Sequence, residues 1–245
     1  MTAKSSPGPI KVIAFDLDDT LWEMRPLLLK AEERLNEFLG RAFPRLRYDV
    51  VSMRELRHEL LAEKPELAHR ITAFRQCLIQ KAMIKSAMTE AQAQSGAQQA
   101  MSVFLDARHD VRFFDDVIAT LRQLSDHYLL GSLTNGNADI RRLGLEDLFS
   151  FSFSAEEVGA RKPAPDLFHK ALAHTGVNAK EMVYVGDDPV QDVAAANQAG
   201  LFSVWVNRAG DPPVPESEPH AIISCLGELP EAVEGIEKAL TQHRQ

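Results

Sequence analysis

Asp16, Asp18 and Asp19 follow the apolar run Val12-Ile-Ala-Phe15 directly. Three carboxylates this close repel one another, and a bound cation is the simplest source of compensation. An all-oxygen cluster suits a hard ion such as Mg2+. Alone, the stretch reads equally well as a strand end running into a solvated Asp turn. Three later stretches bear on the choice. Thr134-Asn135 follows the apolar run Tyr128–Leu133, and Arg161-Lys162-Pro163 precedes a helical pattern. Gly186-Asp187-Asp188 follows Met182–Val185, with Asp192 four residues beyond Asp188. Singly, Thr134 would be a turn or cap residue, Lys162 a solvated lysine and Asp192 an acid favouring a helix N-terminus. Jointly they offer a carboxylate pair, a hydroxyl, a cation and a second acidic cluster.

Each group sits at a strand end or a helix start. Val12–Phe15 is short and wholly apolar, as in a buried strand of a parallel sheet. From Val111 onward helical and strand patterns alternate. Helices are expected over Asp115–Ser125, Ala138–Leu145, Pro163–Thr175, Val190–Ala199 and Leu229–Leu240. Strands are expected over Tyr128–Leu133, Phe149–Ser154, Met182–Gly186, Leu201–Val206 and Ala221–Ser224. This order calls for a Rossmann-like three-layer α/β fold, a parallel sheet with right-handed crossovers. All strand carboxyl ends then share one edge, where such sheets place their ligands. Lys11–Leu17 should be the central strand, flanked by those ending at Thr134 and Gly186.

The segment between the first two acid- and hydroxyl-bearing stretches has a different pattern. Leu28, Ala31, Leu35, Phe38 and Ala42 recur at helical spacing. Further helices are expected over Val50–Ala62, Glu66–Met88 and Thr89–Arg108, the last with Thr89 and Gln92 as a capping box. Four helices with no strand between them suggest an inserted bundle. The predicted division is a core of 1–22 and 111–245 and a helical domain of 23–110.

The formal charge of −8 and pI near 5.5 argue against nucleic acid and anionic membrane as main partners. No apolar run approaches membrane-spanning length. Met1–Gly8 lacks a signal-peptide core and reads as a loose tail, and Gly210–Pro219 as a surface loop. Cys77 and Cys225 form no disulfide framework or zinc pattern. Together these features point to a cytoplasmic protein.

The ordered set Asp16-x-Asp18-x-Thr20, Thr134, Lys162 and Gly186-Asp187-x4-Asp192 resembles the haloacid-dehalogenase-like hydrolase superfamily, over nearly the whole chain. The helical insert resembles that family's four-helix cap. Phe15–Pro26, Thr134–Ala138 and Gly186–Asp188 are similar to the branch of bacterial flavin mononucleotide and riboflavin-precursor phosphatases.

The resemblance implies a phosphatase acting on a small phosphorylated metabolite, with Mg2+. Phosphoryl transfer needs an in-line nucleophile, charge neutralisation and a proton donor for the leaving oxygen. Asp16 would be the nucleophile and Asp18 the acid and base. Thr134, Asn135 and Lys162 would bind phosphate, with Lys162 also offsetting charge. Asp16, the Asp18 carbonyl and Asp187 would hold the metal, and Asp192 would orient a water or Lys162. Asp188 has no assigned role. In the cap, Arg25, His69, Arg70 and Arg75 are candidate substrate contacts, set against a solvated polar face. Trp22 and Phe74 offer rings for stacking, although the spacing of Phe74 fits cap core. Flavin mononucleotide or a ribityl-pyrimidine phosphate is the first expectation for substrate, with nucleotides and sugar phosphates next. A haloacid dehalogenase would lack the second acid that Asp18 supplies. A non-catalytic phospho-acceptor would be much shorter.

Overall fold

The structure, a computed structural model, describes residues 9–212 and 218–242. The expected N-terminal tail and the centre of the Gly210–Pro219 loop lie outside the described residues. The chain divides into two compact units. One comprises the residues up to Glu23 and those from Arg112 onward; the other is Met24–Val111.

Among the described residues, the first unit is built on six parallel strands: β1 (Val12–Phe15), β2 (Leu129–Thr134), β3 (Phe151–Ser154), β4 (Met182–Gly186), β5 (Phe202–Val206) and β6 (Ala221–Ile223). Their order is β3-β2-β1-β4-β5-β6. The expected centre is found: β1 pairs with β2 on one side and β4 on the other. All residues of β1, β4 and β5 are buried, which explains why their sequences are apolar runs without alternation. Val12 and Ala14 face one layer with Leu133, Met182 and Tyr184, covered by Leu167, Phe168 and Ala171 of the helix Asp166–Thr175. Helices Val117–Ser125 and Leu229–Gln242, which pack on each other, lie against β2 and against β5 and β6 respectively. Strand order reverses about β1, so the carboxyl ends of β1 and β4 open side by side at a topological switch point.

Two expected helices differ. Ala138–Leu145 forms successive turns, with Asp139 Oδ1 accepting from the Arg141 N–H at 2.9 Å and Gly144 at φ 68°. The Asp side chain and the left-handed glycine satisfy locally what a helix would have used. In Val190–Ala199, a wide turn over Pro189–Ala194 precedes a short helix, Ala195–Gln198. Asp188 caps it, accepting from the Val190 and Gln191 N–H groups at 2.8 Å each. The Val193 N–H reaches back five residues to the Asp188 carbonyl at 3.2 Å. Such i→i+5 turns re-aim side chains and recur at functional sites.

The second unit has helices α1 (Met24–Ala42), α2 (Val50–Glu63), α3 (Ile71–Lys85) and α4 (Glu90–Arg108). The expected single helix Glu66–Met88 is split. Pro65–His69 makes a tight turn of its own, and Arg70 leaves helical geometry at φ −117°, ψ 74°. The Thr89–Gln92 capping box forms as its spacing implies. Leu35 and Leu39 of α1, Ile79 and Met83 of α3, and Ala97, Met101 and Phe104 of α4 share one core. Leu56 and Leu60 of α2 pack with Leu67, Leu78 and Ala82 in another.

Gly131 of β2 lies opposite Phe151 of β3, and a Cβ there would come within 2.0 Å of the Phe151 ring. Gly131→Ala should therefore cost about 1–3 kcal/mol through forced repacking. Gly40 in α1 has nothing within 4 Å of its Cβ position, so Gly40→Ala should gain about 0.5–1 kcal/mol. Urea unfolding midpoints that moved in the same direction for both variants would contradict this account.

Candidate active site

Asp16 follows β1 immediately, and its N–H donates to the Val185 carbonyl of β4 at 2.8 Å. This bond keeps the backbone in the sheet one residue beyond the strand, so the carboxylate stands at the switch point. The chain then turns sharply through Asp19 at φ 59°, a conformation that Asp tolerates better than most residues. The turn lets Trp22 come back against Asp18, whose Oδ1 accepts from the indole Nε1–H at 3.0 Å. Trp22 is buried and packs edge-on against Phe113, 5.7 Å between centroids. The stacking role considered for Trp22 is thereby overturned: its ring is core, and its N–H orients Asp18.

The strongest feature is a buried lysine. Lys162 is 3% exposed and its Nζ donates to Asp16 Oδ1 at 2.7 Å, Asp192 Oδ1 at 2.6 Å and the Tyr184 hydroxyl at 2.6 Å. Burial alone would lower the lysine pKa, but Asp16 and Asp192 outweigh it and hold the ammonium above its ordinary value. Asp192 is itself buried, and its other oxygen accepts from the Asp188 N–H at 3.0 Å. A Cβ at Gly186 would meet that same oxygen at 2.3 Å, so the strand must end in glycine for Asp192 to reach the lysine.

Asp187 follows Gly186, with Oδ1 accepting from the Thr20 hydroxyl at 3.2 Å. The Trp205 indole of β5 donates to the Asp187 carbonyl at 2.8 Å. Asp187 is pushed up to about 7, first by burial and then by Asp192 and Asp19. Asp16 is raised well above the ordinary carboxylate range, again chiefly by burial, with Asp192 and Asp187 adding repulsion that Lys162 only partly offsets.

Asp16, Asp187 and Asp192 each present an oxygen, all within 4.8 Å of one another. Three carboxylates against one ammonium leave a formal excess of two negative charges, which a divalent cation would cancel. The donor set therefore fits Mg2+. Both oxygens of Asp192 are already engaged, by Lys162 and by the Asp188 N–H. The geometry suits Asp16 and Asp187 to the ion and Asp192 to the lysine.

Thr134 ends β2 almost fully buried, its Oγ1 accepting from the Gly136 N–H at 2.9 Å. The amide of Asn135 is spent on protein. Its Oδ1 accepts from the Lys162 N–H at 2.8 Å, and its Nδ2 donates to the Lys162 carbonyl at 3.0 Å and to Gln191 Oε1 at 2.8 Å. The Asn135 side chain, a candidate phosphate ligand in the sequence, is occupied in clamping the Lys162 main chain from both sides. Asp188 caps the following turn and holds Gln191 Nε2 at 2.6 Å, which in turn supports Asn135.

In the helical unit, Arg25, His69 and Arg70 are exposed. Arg75 is engaged there: Nη1 donates to Glu32 Oε1 at 2.6 Å and the guanidinium lies 4.1 Å from the Phe104 ring centroid. Phe74 belongs to the α2–α3 core, with Arg57 over its ring at 5.0 Å.

Tyr184, Gln191 and Trp205 were not singled out in the sequence. A phenol inside the buried run Met182-Val-Tyr-Val-Gly186 was itself a signal, because a buried hydroxyl must find a partner.

The family model described as haloacid dehalogenase-like hydrolase matches residues 10–200. The chain belongs to that family and is a hydrolase. It is 33% identical over 200 residues to 5-amino-6-(5-phospho-D-ribitylamino)uracil phosphatase YigB of Escherichia coli, covering 81% of this chain and 84% of the relative. It is 31% identical to glyceraldehyde 3-phosphate phosphatase of Methanopyrus kandleri, covering 90% and 98%. Among solved structures, 2-haloacid dehalogenase from Pseudomonas syringae pv. Tomato superposes with a TM-score of 0.90 at 40% identity, covering 92% of this chain and 99% of that one.

Gly186→Ala should displace the Asp192 carboxylate and loosen Lys162. Misplacement on the scale of 1 Å costs about 10²-fold in rate, so turnover should fall by about that much. Comparing kcat with the thermal midpoint tests this. Full turnover in the variant would show that Asp192 does not need its observed position.

Proposed function

We propose that this hydrolase is a Mg2+-dependent phosphatase of small phosphate monoesters, working through an aspartyl-phosphate on Asp16. The observation that carries the reading is Asp16 itself, a buried carboxylate fixed by Lys162 at 2.7 Å and facing Asp187. Its second oxygen would attack phosphorus in line while the ester oxygen leaves. Asp18, steadied by Trp22, would protonate that oxygen and then take a proton from the water that hydrolyses the intermediate. Thr134 and the main chain around Asn135 would hold the equatorial phosphoryl oxygens. Lys162 would offset the charge gathering at Asp16. Asp16, the Asp18 carbonyl and Asp187 would hold Mg2+, which supplies charge neutralisation at the phosphoryl group.

Residues 23–110 are read as a cap that selects the substrate, with Arg25 and His69 as its exposed cationic candidates and Arg75 committed to Glu32. A phosphorylated ribityl chain on a ring is the favoured substrate class. The similarity to the E. coli phosphatase named for such a compound supports it. Flavin mononucleotide shares the ribityl phosphate, and nucleotides and sugar phosphates follow.

A second reading, carbon–halogen hydrolysis, is favoured by the 40% identity to the Pseudomonas syringae structure. It too would use Asp16 as nucleophile, but it gives Asp18 and Asp187 nothing to do. Phosphate release from 5-amino-6-(5-phospho-D-ribitylamino)uracil, flavin mononucleotide and sugar phosphates, run beside halide release from 2-chloropropionate, separates the two. Phosphate release that stops in excess chelator is expected; chelator-resistant halide release would overturn the reading.

Asp16→Asn should abolish turnover and leave no phospho-enzyme on rapid quench. Asp187→Asn should weaken Mg2+ binding and activity together. Asp18→Asn should still bind substrate but lose roughly 10²–10⁴-fold in kcat, the usual contribution of one acid–base group. In single turnover, aryl phosphates with weakly basic leaving groups should be spared relative to alkyl phosphates. Equal first-step losses for both ester types would remove Asp18 as the leaving-group acid.

A further inference from the structure

We propose that Tyr184 is a positioning residue for Lys162, and that its hydroxyl, as third acceptor of the ammonium, fixes which N–H bonds point at Asp16 and Asp192. This role belongs to the phosphatase reading, since it is there that Lys162 must hold Asp16 in line.

An ammonium carries three N–H donors and no acceptor. At Lys162 the three contacts are Asp16 Oδ1 at 2.7 Å, Asp192 Oδ1 at 2.6 Å and Tyr184 Oη at 2.6 Å. All three donors are therefore spent within the protein. Tyr184 Oη has one proton. Its shorter acceptor is the Leu133 carbonyl at 2.9 Å, with Asp192 Oδ1 at 3.3 Å. The Leu133 carbonyl can only accept, so the phenol donates there and turns a lone pair to the lysine. One hydroxyl thus ties the ammonium to the β2 backbone at the residue before Thr134. The lysine is thereby placed relative to the strand end assigned to phosphate as well as relative to Asp16.

The ring is held for this task. Tyr184 is 1% exposed, lies opposite the small Ala14 of β1, and meets Phe168 edge-on with centroids 4.9 Å apart. A phenylalanine would fill the same volume and keep the same ring packing. What it would lose is the third acceptor, and one N–H of a buried ammonium would then have no partner. The ammonium could recover that bond by swinging toward the site's open edge, taking Asp16 with it.

The test uses the full chain. With Mg2+ and an ester that the wild type hydrolyses, Tyr184→Phe should lose roughly 10–100-fold in kcat, the range for one hydrogen bond to a charged group. KM should stay within about twofold, because the hydroxyl touches no substrate. In a Lys162→Met background the same change should add less than about threefold, since a residue acting through Lys162 has nothing left to position. An unchanged kcat, or an equal loss with and without the lysine, overturns the proposal. Proton exchange at the Lys162 ammonium, read by 15N NMR, needs no turnover. It should be slow in the wild type and at least about tenfold faster in Tyr184→Phe. Should the wild type hydrolyse no phosphate ester, the phosphatase reading fails and the exchange measurement alone decides the positioning role. Should the variant not fold, wild-type exchange as fast as that of a solvated lysine still refutes it.

Discussion

The buried contact of Lys162 with Asp16 and Asp192 is the constraint around which the sheet edge is arranged. An ammonium out of water is tolerated only if its donors are met, and removing one partner of a buried pair typically costs about 3–5 kcal/mol. The local oddities of the first unit answer that demand. β4 ends in glycine because a side chain there would occupy the place of the Asp192 carboxylate. The next turn is wide, with Asp188 capping it and Asp192 turned back toward the lysine. Asn135 grips the lysine's backbone on both sides, so that the ammonium and its main chain are set independently.

One lysine does not balance the edge. Asp187 is raised to about 7 and Asp16 well above its ordinary range because burial and neighbouring acids act together. The site is built with more negative charge than the protein neutralises by itself. That surplus is what gives an oxygen-lined site its preference for a hard divalent cation over a monovalent one. On the proposed phosphatase reading, the same surplus would repel an anionic phosphate unless a cation were present, so metal and substrate binding would be coupled through charge alone.

Strands β1, β2, β4 and β5 were legible because each is a mainly apolar run too short for a helix, and Asp16, Thr134-Asn135, Asp187 and Asn207 mark where those runs stop. Their placement on one edge followed from parallel topology. The four helices of the insert followed from spacing, although Pro65 and Arg70 break what looked continuous. Ala138–Leu145 misled because its helical spacing says nothing of Asp139 and Gly144 satisfying the backbone locally. Asp16, Lys162 and Asp192 could be named in advance as residue types, but their contact joins positions 16, 162 and 192, which no local pattern reports. Asn135 shows the limit best. Its neighbourhood pointed to phosphate, while its amide is held by a lysine backbone 27 positions away.

The chain leaves the first unit and returns to it side by side. Trp22 bridges to Phe113, and the Phe114 N–H donates to the Leu21 carbonyl at 3.0 Å. This narrow stem has a consequence for the order in which the polypeptide acquires structure. Pairing Val12 with Leu129 closes a very long loop, and such non-local contacts slow a chain's search. Residues 24–111 have cores of their own. If they condense first, most of that loop is already ordered when β1 seeks β2, and the residual closure is short. An insertion that folds on its own therefore adds little to the length of chain that the sheet must close, although it lengthens the sequence by more than a third.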